Sequence, residues 1–139
     1  ILIAGMFLWF RMPVSASVIL APVALIHLVL FGTAIGTLLA PIGALYSDFS
    51  RAVPLVTSAL MFFTPVVYPI PSGEGFFGMI VNLNPITPLL VTVRELATTG
   101  IISDAGGFWS SSVLAFYGML VAWLAYKLAM PYVIERMSS

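Results

Sequence analysis

Acid–base and ionic chemistry rests on few side chains: five Lys or Arg, five Asp or Glu, and one histidine in 139 residues. Nucleophilic catalysis needs a hydroxyl or thiol beside a base, with a third group orienting that base. The one histidine, His27, lies in an apolar stretch from Val18 to Ala40 that holds no acidic residue, and the chain has no cysteine. Neither a triad nor a paired-carboxylate site can be assembled at helical spacing, and no thiolate or multi-histidine metal cluster is expected. A phosphate-binding loop needs glycine amides that cradle phosphates and a lysine that reaches them, in the pattern G-x-x-x-x-G-K-[ST]. The sole lysine, Lys127, stands in Ala125-Tyr-Lys-Leu-Ala129 instead. The sequence therefore reads as non-enzymatic and without a cofactor of its own; any energy it uses comes from another chain.

The charged residues stand at the edges of apolar runs. Asp48 and Arg51 lie in Tyr46-Ser-Asp-Phe-Ser-Arg51, Arg94 and Glu95 follow one apolar run, and Glu135 and Arg136 lie beyond another. Only 7% of residues are charged and 61% are hydrophobic, whereas a soluble domain carries about 25% charged residues. A soluble core of this size needs a charged shell that these residues cannot supply, which excludes a soluble enzyme and a disordered segment. With a net charge of +0 there is no basic surface to draw in nucleic acid. The partner that remains is membrane lipid.

The apolar runs must therefore position the polar residues. Val18 to Ala40, about 23 uncharged residues, is long enough to cross a hydrocarbon core of roughly 30 Å. Pro41 and Gly43 are expected to end it, because proline lacks the N–H that a continuing helix needs, and Tyr46–Arg51 then reads as an aqueous loop. Ala52 to Ile70 is a second span that carries Pro54, Pro65 and Pro69, so its outer end is expected to be bent or unwound, and Pro71-Ser-Gly-Glu-Gly75 is a turn. Phe76 to Val93 is uncharged but interrupted by Asn82, Asn84, Pro85, Thr87 and Pro88. Broken backbone at membrane depth survives only where protein or a water-filled cavity surrounds it. This segment therefore reads as two short helices joined at Asn84-Pro85 that dip into the membrane and return. Gly100 to Gly107 is a loop and Phe108 to Tyr126 the last span. The run Ile1 to Phe10 covers about half a bilayer, so the chain is expected to be a fragment that starts within a span.

Three further patterns bear on assembly. If the dip does not cross, Arg51, Lys127 and Arg136 share one side and Arg11 and Arg94 the other, which favours the cytoplasm for the first side by the positive-inside rule. Gly32, Gly36 and Ala40, and likewise Ala115, Gly118, Ala122, Ala125 and Ala129, give two helices smooth faces for close packing within the chain or against a second copy. Trp9, Phe10, Phe62, Phe63, Tyr68, Phe76, Phe77 and Trp109 gather toward one boundary and Tyr46, Phe49, Tyr126 and Tyr132 toward the other, as interfacial belts or, for the first set, as flat faces for sugar rings. His27 is expected either to hydrogen-bond a neighbouring helix or to belong to a proton or substrate path.

Together these pieces resemble the type-2 ABC exporter permeases that move polysaccharides such as O-antigen, capsule and teichoic acid precursors. The resemblance lies in the order and spacing of Gly36-Thr-Leu-Leu-Ala-Pro41, Tyr46-Ser-Asp48-Phe, Val53-Pro54, Phe62-Phe-Thr-Pro65-Val-Val-Tyr68-Pro, Asn84-Pro85-Ile-Thr-Pro88 and Arg94-Glu95-Leu. The tail Met130-Pro-Tyr-Val-Ile-Glu135-Arg136 also fits. Family members commonly carry Arg before the loop aspartate; here Ser47 precedes Asp48, and Arg51 offers a substitute at helical spacing. The resemblance implies an all-α integral membrane protein, a polytopic helical bundle with a re-entrant helical hairpin before the last span. It makes residues 1–139 part of the transmembrane domain, from the end of the third span through the sixth and a cytoplasmic tail. It implies a cytoplasmic (inner) membrane location, a second permease copy, and a separate ATPase subunit that holds ATP and Mg. The substrate it implies is a lipid-linked glycan. Within that frame Asn84, Pro85, Arg94 and Glu95 form the re-entrant gate motif. Asp48, Arg51, Glu135 and Arg136 are contacts toward the ATPase, and Phe62, Phe63 and Tyr68 are glycan-facing aromatics. A type-2 permease for drugs, haem or lipid, or a non-transporting membrane scaffold, would share the same spans.

Overall fold

The computed structural model describes residues 16–65 and 75–138, which are helical almost throughout. A 3-10 turn, Ala16–Leu20, leads into helix α1, Ala21–Leu45, and after Tyr46 comes α2, Ser47–Phe63. Beyond the undescribed stretch lie α3, Phe76–Leu83, α4, Ile86–Thr98, and α5, Ala105–Ser138. No strand occurs among the described residues. Residues 16–45 and 105–138, with mean hydropathy 2.4 and 1.6, are long and apolar enough to cross a membrane. A core helix of a soluble protein would bury its apolar side chains. Here α1 buries only Ala24, Ala34 and Pro41 within the chain, while Ile19, Ile26 and Val29 are exposed, as on a lipid-facing surface. The expected all-α membrane bundle is what the chain forms. The partial span Ile1–Phe10, Tyr68, and the turn up to Glu74 fall outside the described residues.

Several boundaries differ from those expected, for one shared reason. Pro41 does not end α1, which continues to Leu45. Proline removes one helical hydrogen bond, whereas stopping there would strand several backbone groups away from water. Nor is Tyr46–Arg51 a loop: only Tyr46 leaves the helical conformation, and α2 begins at Ser47. Its N–H donates to the Ile42 carbonyl at 3.0 Å, its own carbonyl accepts from the Ser50 N–H at 3.3 Å, and the Ser50 hydroxyl donates to the Gly43 carbonyl at 2.8 Å. These bonds close the corner in one residue. A Cβ on Gly43 would stand 3.2 Å from Ser50 Oγ, so the helices approach closely there. The last helix likewise passes Tyr126 and runs through Pro131 to Ser138. The expected second span overlaps α2, whose 17 residues measure about 25 Å; the residues after Pro65 are not described.

Packing fixes the direction of the long helices. The His27 ring meets the Phe108 ring edge-on, with centroids 5.4 Å apart, and further along both chains Gly118 faces Ala34, whose Cβ lies 3.9 Å from where a Gly118 Cβ would be. The contacts advance in the same order along α1 and α5, so the two helices run parallel. Their starts share one end of the molecule; the corner at Tyr46 and the C-terminal tail share the other. Helix α4 lies against both near their starts, where Ala24, Leu89, Leu96 and Phe108 form the core, flanked by Leu28 and Phe31.

The two small-residue faces have different fates. On α5, Ala115 and Ala122 are each 1% exposed, so this face is the one that packs, and it meets α1 at Ala34. On α1, Gly32, Gly36 and Ala40 are exposed, with nothing within 4 Å of a Cβ at either glycine. Close packing within the chain therefore corrects to one helix only: the α1 stripe faces away from it. A larger side chain in the packed face should cost about 1–3 kcal/mol. Ala122→Leu in the full-length protein should thus lower its thermal unfolding temperature, whereas Gly32→Ala should leave it equal or higher, since Ala is favoured over Gly in helices. Equal losses in both variants would contradict this packing.

Candidate functional site

The expected break in Phe76–Val93 is present: α3 ends at Leu83, α4 starts at Ile86, and Asn84-Pro85 joins them. Asn84 takes an extended backbone, with φ −73° and ψ 115°, the conformation that a following proline enforces. Its side chain then satisfies the groups that the break exposes. The Asn84 carbonyl oxygen accepts the Ile86 N–H at 3.0 Å, and its amide donates to Thr64 Oγ1 at 3.1 Å and toward the Phe63 carbonyl at 3.4 Å. The Thr87 hydroxyl donates to the Val81 carbonyl at 2.7 Å, a buried bond that spans the break. Asn84 thus ties the end of α2 to the start of α4. Thr64, Val81, Thr87 and Leu89 are buried around it.

Arg94 and Glu95 stand near the other end of α4, three turns away, so the four gate residues occupy two places. Glu95 clamps the following loop: its carboxylate accepts the Ser103 N–H at 2.9 Å and the Ser103 hydroxyl at 2.6 Å. The loop is shaped at both ends. Gly100, with φ 75°, closes α4 by donating its N–H to the Glu95 carbonyl at 2.7 Å, a left-handed cap that glycine adopts without a Cβ penalty. Asp104 opens α5, its Oδ1 accepting the Gly107 N–H at 2.8 Å, the bond an N-capping aspartate makes. A Cβ at position 107 would collide with that carboxylate. The Arg94 side chain is exposed.

The remaining candidates are dispersed. Asp48 and Arg51 are exposed at the start of α2, and Glu135 and Arg136 are exposed near the end of α5, at the same end of the parallel pair. Among the described residues no ion pair joins Asp48 to Arg51, which corrects the substitute pair expected at helical spacing. Phe62 and Phe63 end α2 beside the Asn84 junction, with Phe62 73% exposed; Tyr68 lies outside the described residues. His27 donates from Nδ1 to the Val23 carbonyl of its own helix at 2.8 Å, so its hydrogen bond is not to a neighbouring helix, which it meets through Phe108. Sequence reasoning missed Thr64, Ser103 and Asp104. The pattern Asp104-x-x-Gly107 before an apolar run was a readable cap signal, whereas nothing local links Thr64 to Asn84 or Ser103 to Glu95.

Residues 1–97 match the family model described as ABC-2 type transporter. The matched part runs from the chain start to near the end of α4, so it contains the Asn84-Pro85 junction together with Arg94 and Glu95. No curated protein and no solved structure matches the sequence.

Removing a partly buried hydrogen-bonding group costs about 1–3 kcal/mol when its partners are left unpaired. Asn84→Ala should destabilise the full-length protein by about that amount. Asn84→Asp keeps the acceptor for Ile86 but loses the amide donor to Thr64, and should fall between the two. Thermal unfolding measures this; an Asn84→Ala variant as stable as the parent would remove Asn84 as the tie.

Proposed function

The chain belongs to the ABC-2 type transporter family, and we propose that it is the permease subunit of an exporter moving a lipid-linked polysaccharide across the cytoplasmic membrane. The observation that carries this reading is the helix–break–helix unit at Asn84-Pro85, held where α1 and α5 begin. Since α1 and α5 run parallel, one return pass joins them, and a unit that stays at their starting end keeps the topology consistent. In this reading α3 and α4 form a re-entrant hairpin on the outer side. The corner at Tyr46 and the tail at Glu135-Arg136 face the cytoplasm, in line with Arg51, Lys127 and Arg136 at that end.

In this reading ATP and Mg belong to a separate ATPase subunit, the partner that the ABC family implies, and residues 1–139 hold no phosphate-binding loop. Asp48, Arg51, Glu135 and Arg136 stand at the end that such a subunit would dock. Two permease copies enclose the pathway, and ATP-driven closure of the docked subunits rocks their helices. Exposed aromatic side chains at Phe62, near the Asn84 junction, and Trp109, early in α5, supply flat apolar faces suited to sugar rings. The domain assignment follows: residues 1–139 supply the end of the third span through the sixth, with a cytoplasmic tail.

Loss of the full-length gene tests the substrate. Cells should accumulate lipid-linked glycan on the cytoplasmic side and lose surface polysaccharide. Unchanged surface glycan, with new sensitivity to a drug or to haem, would replace the reading with a permease for those compounds, and no transport change at all would favour a scaffold. Topology is tested separately. Ser72→Cys and Ser103→Cys should both react with a membrane-impermeant maleimide added from the outer side, and labelling from opposite sides would rule out the hairpin.

A further inference from the structure

Beside the α3–α4 junction is a small cavity of about 80 Å³, with Pro88 and Val91 supplying apolar wall and Asn82, Thr87, Thr92, Ser103 and Asp104 the polar groups. Its polar atoms are unequally committed. The Thr87 hydroxyl hydrogen is given to Val81 and the Ser103 hydroxyl hydrogen to Glu95, so both oxygens retain only acceptor capacity. Asp104 gives one oxygen to the Gly107 N–H and, as a carboxylate, can only accept. Thr92 differs. It is 2% exposed, yet among the described residues its hydroxyl has no hydrogen-bond partner, and its oxygen is not sealed in the core but open to the cavity. This hydroxyl is therefore available to whatever enters the cavity, as donor and as acceptor.

We propose that this cavity is a carbohydrate subsite, taking two neighbouring hydroxyls or a hydroxymethyl arm of a sugar residue; the proposal rests on the polysaccharide reading and deepens it. An acceptor-rich wall with one carboxylate suits groups that donate, and sugar hydroxyls donate. The Thr92 hydroxyl and the Asn82 amide supply the donors that the same hydroxyls accept in return. Size agrees: about 80 Å³ is well above the roughly 10–15 Å³ that a single water needs, so a hydroxyl pair or a hydroxymethyl arm can enter. The site would hold the edge of a glycan unit at the end of the molecule where the hairpin and the start of α5 meet. Positioning comes from the fold: the Glu95 clamp presents Ser103, and the α5 cap presents Asp104.

Hydrogen exchange on the full-length permease in nanodiscs, with methyl α-D-mannopyranoside and methyl β-D-glucopyranoside as probes, tests the subsite. At least one glycoside should slow exchange of amides in the 103–107 segment, and sodium chloride against choline chloride should not. Thr92→Val keeps the branched shape and removes only the hydroxyl, so it should fold with unreduced thermal stability. It should raise the half-saturating glycoside concentration roughly threefold to tenfold, the range for one lost hydrogen bond. Asp104→Ser, which retains an N-capping oxygen, should do the same without unfolding α5. Protection by sodium alone would make the cavity a cation site and overturn the proposal, as would no glycoside protection or equal protection in Thr92→Val. Glycan accumulation on gene loss is read independently, so the subsite can fail while polysaccharide export stands, and the reverse.

Discussion

Backbone groups that water cannot reach must be paired within the protein, and this constraint governs where the chain bends. It explains why α1 runs past Pro41 and turns within the single residue Tyr46: continuing the helix leaves fewer groups unpaired than stopping. It also explains the one place in the described residues where the chain breaks between short helices. At Asn84-Pro85 the unpaired groups are met by side chains, with Asn84 bonding Ile86 and Thr64 and Thr87 bonding Val81. An apolar break without those side chains would be costly in the same setting.

Packing then divides the molecule into a fixed part and an open one. Small residues let α1 and α5 approach, Ala34 meeting Gly118, with Ala115 and Ala122 buried along the same face of α5. The parallel direction this gives is the geometric fact behind the topology. Helix α4 fills the starting end through Leu89 and Leu96. In contrast α2 buries no residue. It is held at its two ends, by the Tyr46 corner and by the Asn84 junction, and an element fixed only at its ends can move as a unit between two packed arrangements.

The helical class, the two long apolar helices and the break at Asn84-Pro85 were legible in the sequence because each rests on local chemistry: run length, charge placement and proline. Helix ends were less legible. Pro41 and the polar cluster Tyr46–Arg51 carry the usual signs of a stop, but whether a helix stops is decided by what its freed backbone would meet, which no local pattern records. The Gly32-Gly36-Ala40 stripe failed in the same way, since spacing identifies a smooth face without saying which helix covers it. Glu95 was marked by its position at the end of an apolar run, whereas its partner Ser103 emerges only once Gly100 has turned the chain back. Asp48 and Arg51 have the spacing of a pair and do not form one; exposed charges gain little from pairing and lose side-chain freedom by it.

The loop between α4 and α5 connects these themes to function. It is short, and its ends are specified by single residues: Gly100 for the left-handed cap, Asp104 for the helix start, and Glu95 reaching across to Ser103. Here each bond that shapes it also sets the chemistry of its inner wall, because the hydrogens of Ser103 and Thr87 are consumed in holding the backbone and their oxygens are left as acceptors. The cavity beside the loop is therefore acceptor-rich as a consequence of how the fold is tied, and Thr92 is the hydroxyl there that the fold does not use. That hydroxyl sits where the hairpin, the loop and the start of the last helix converge, at the same end as the exposed aromatic rings of Phe62 and Trp109.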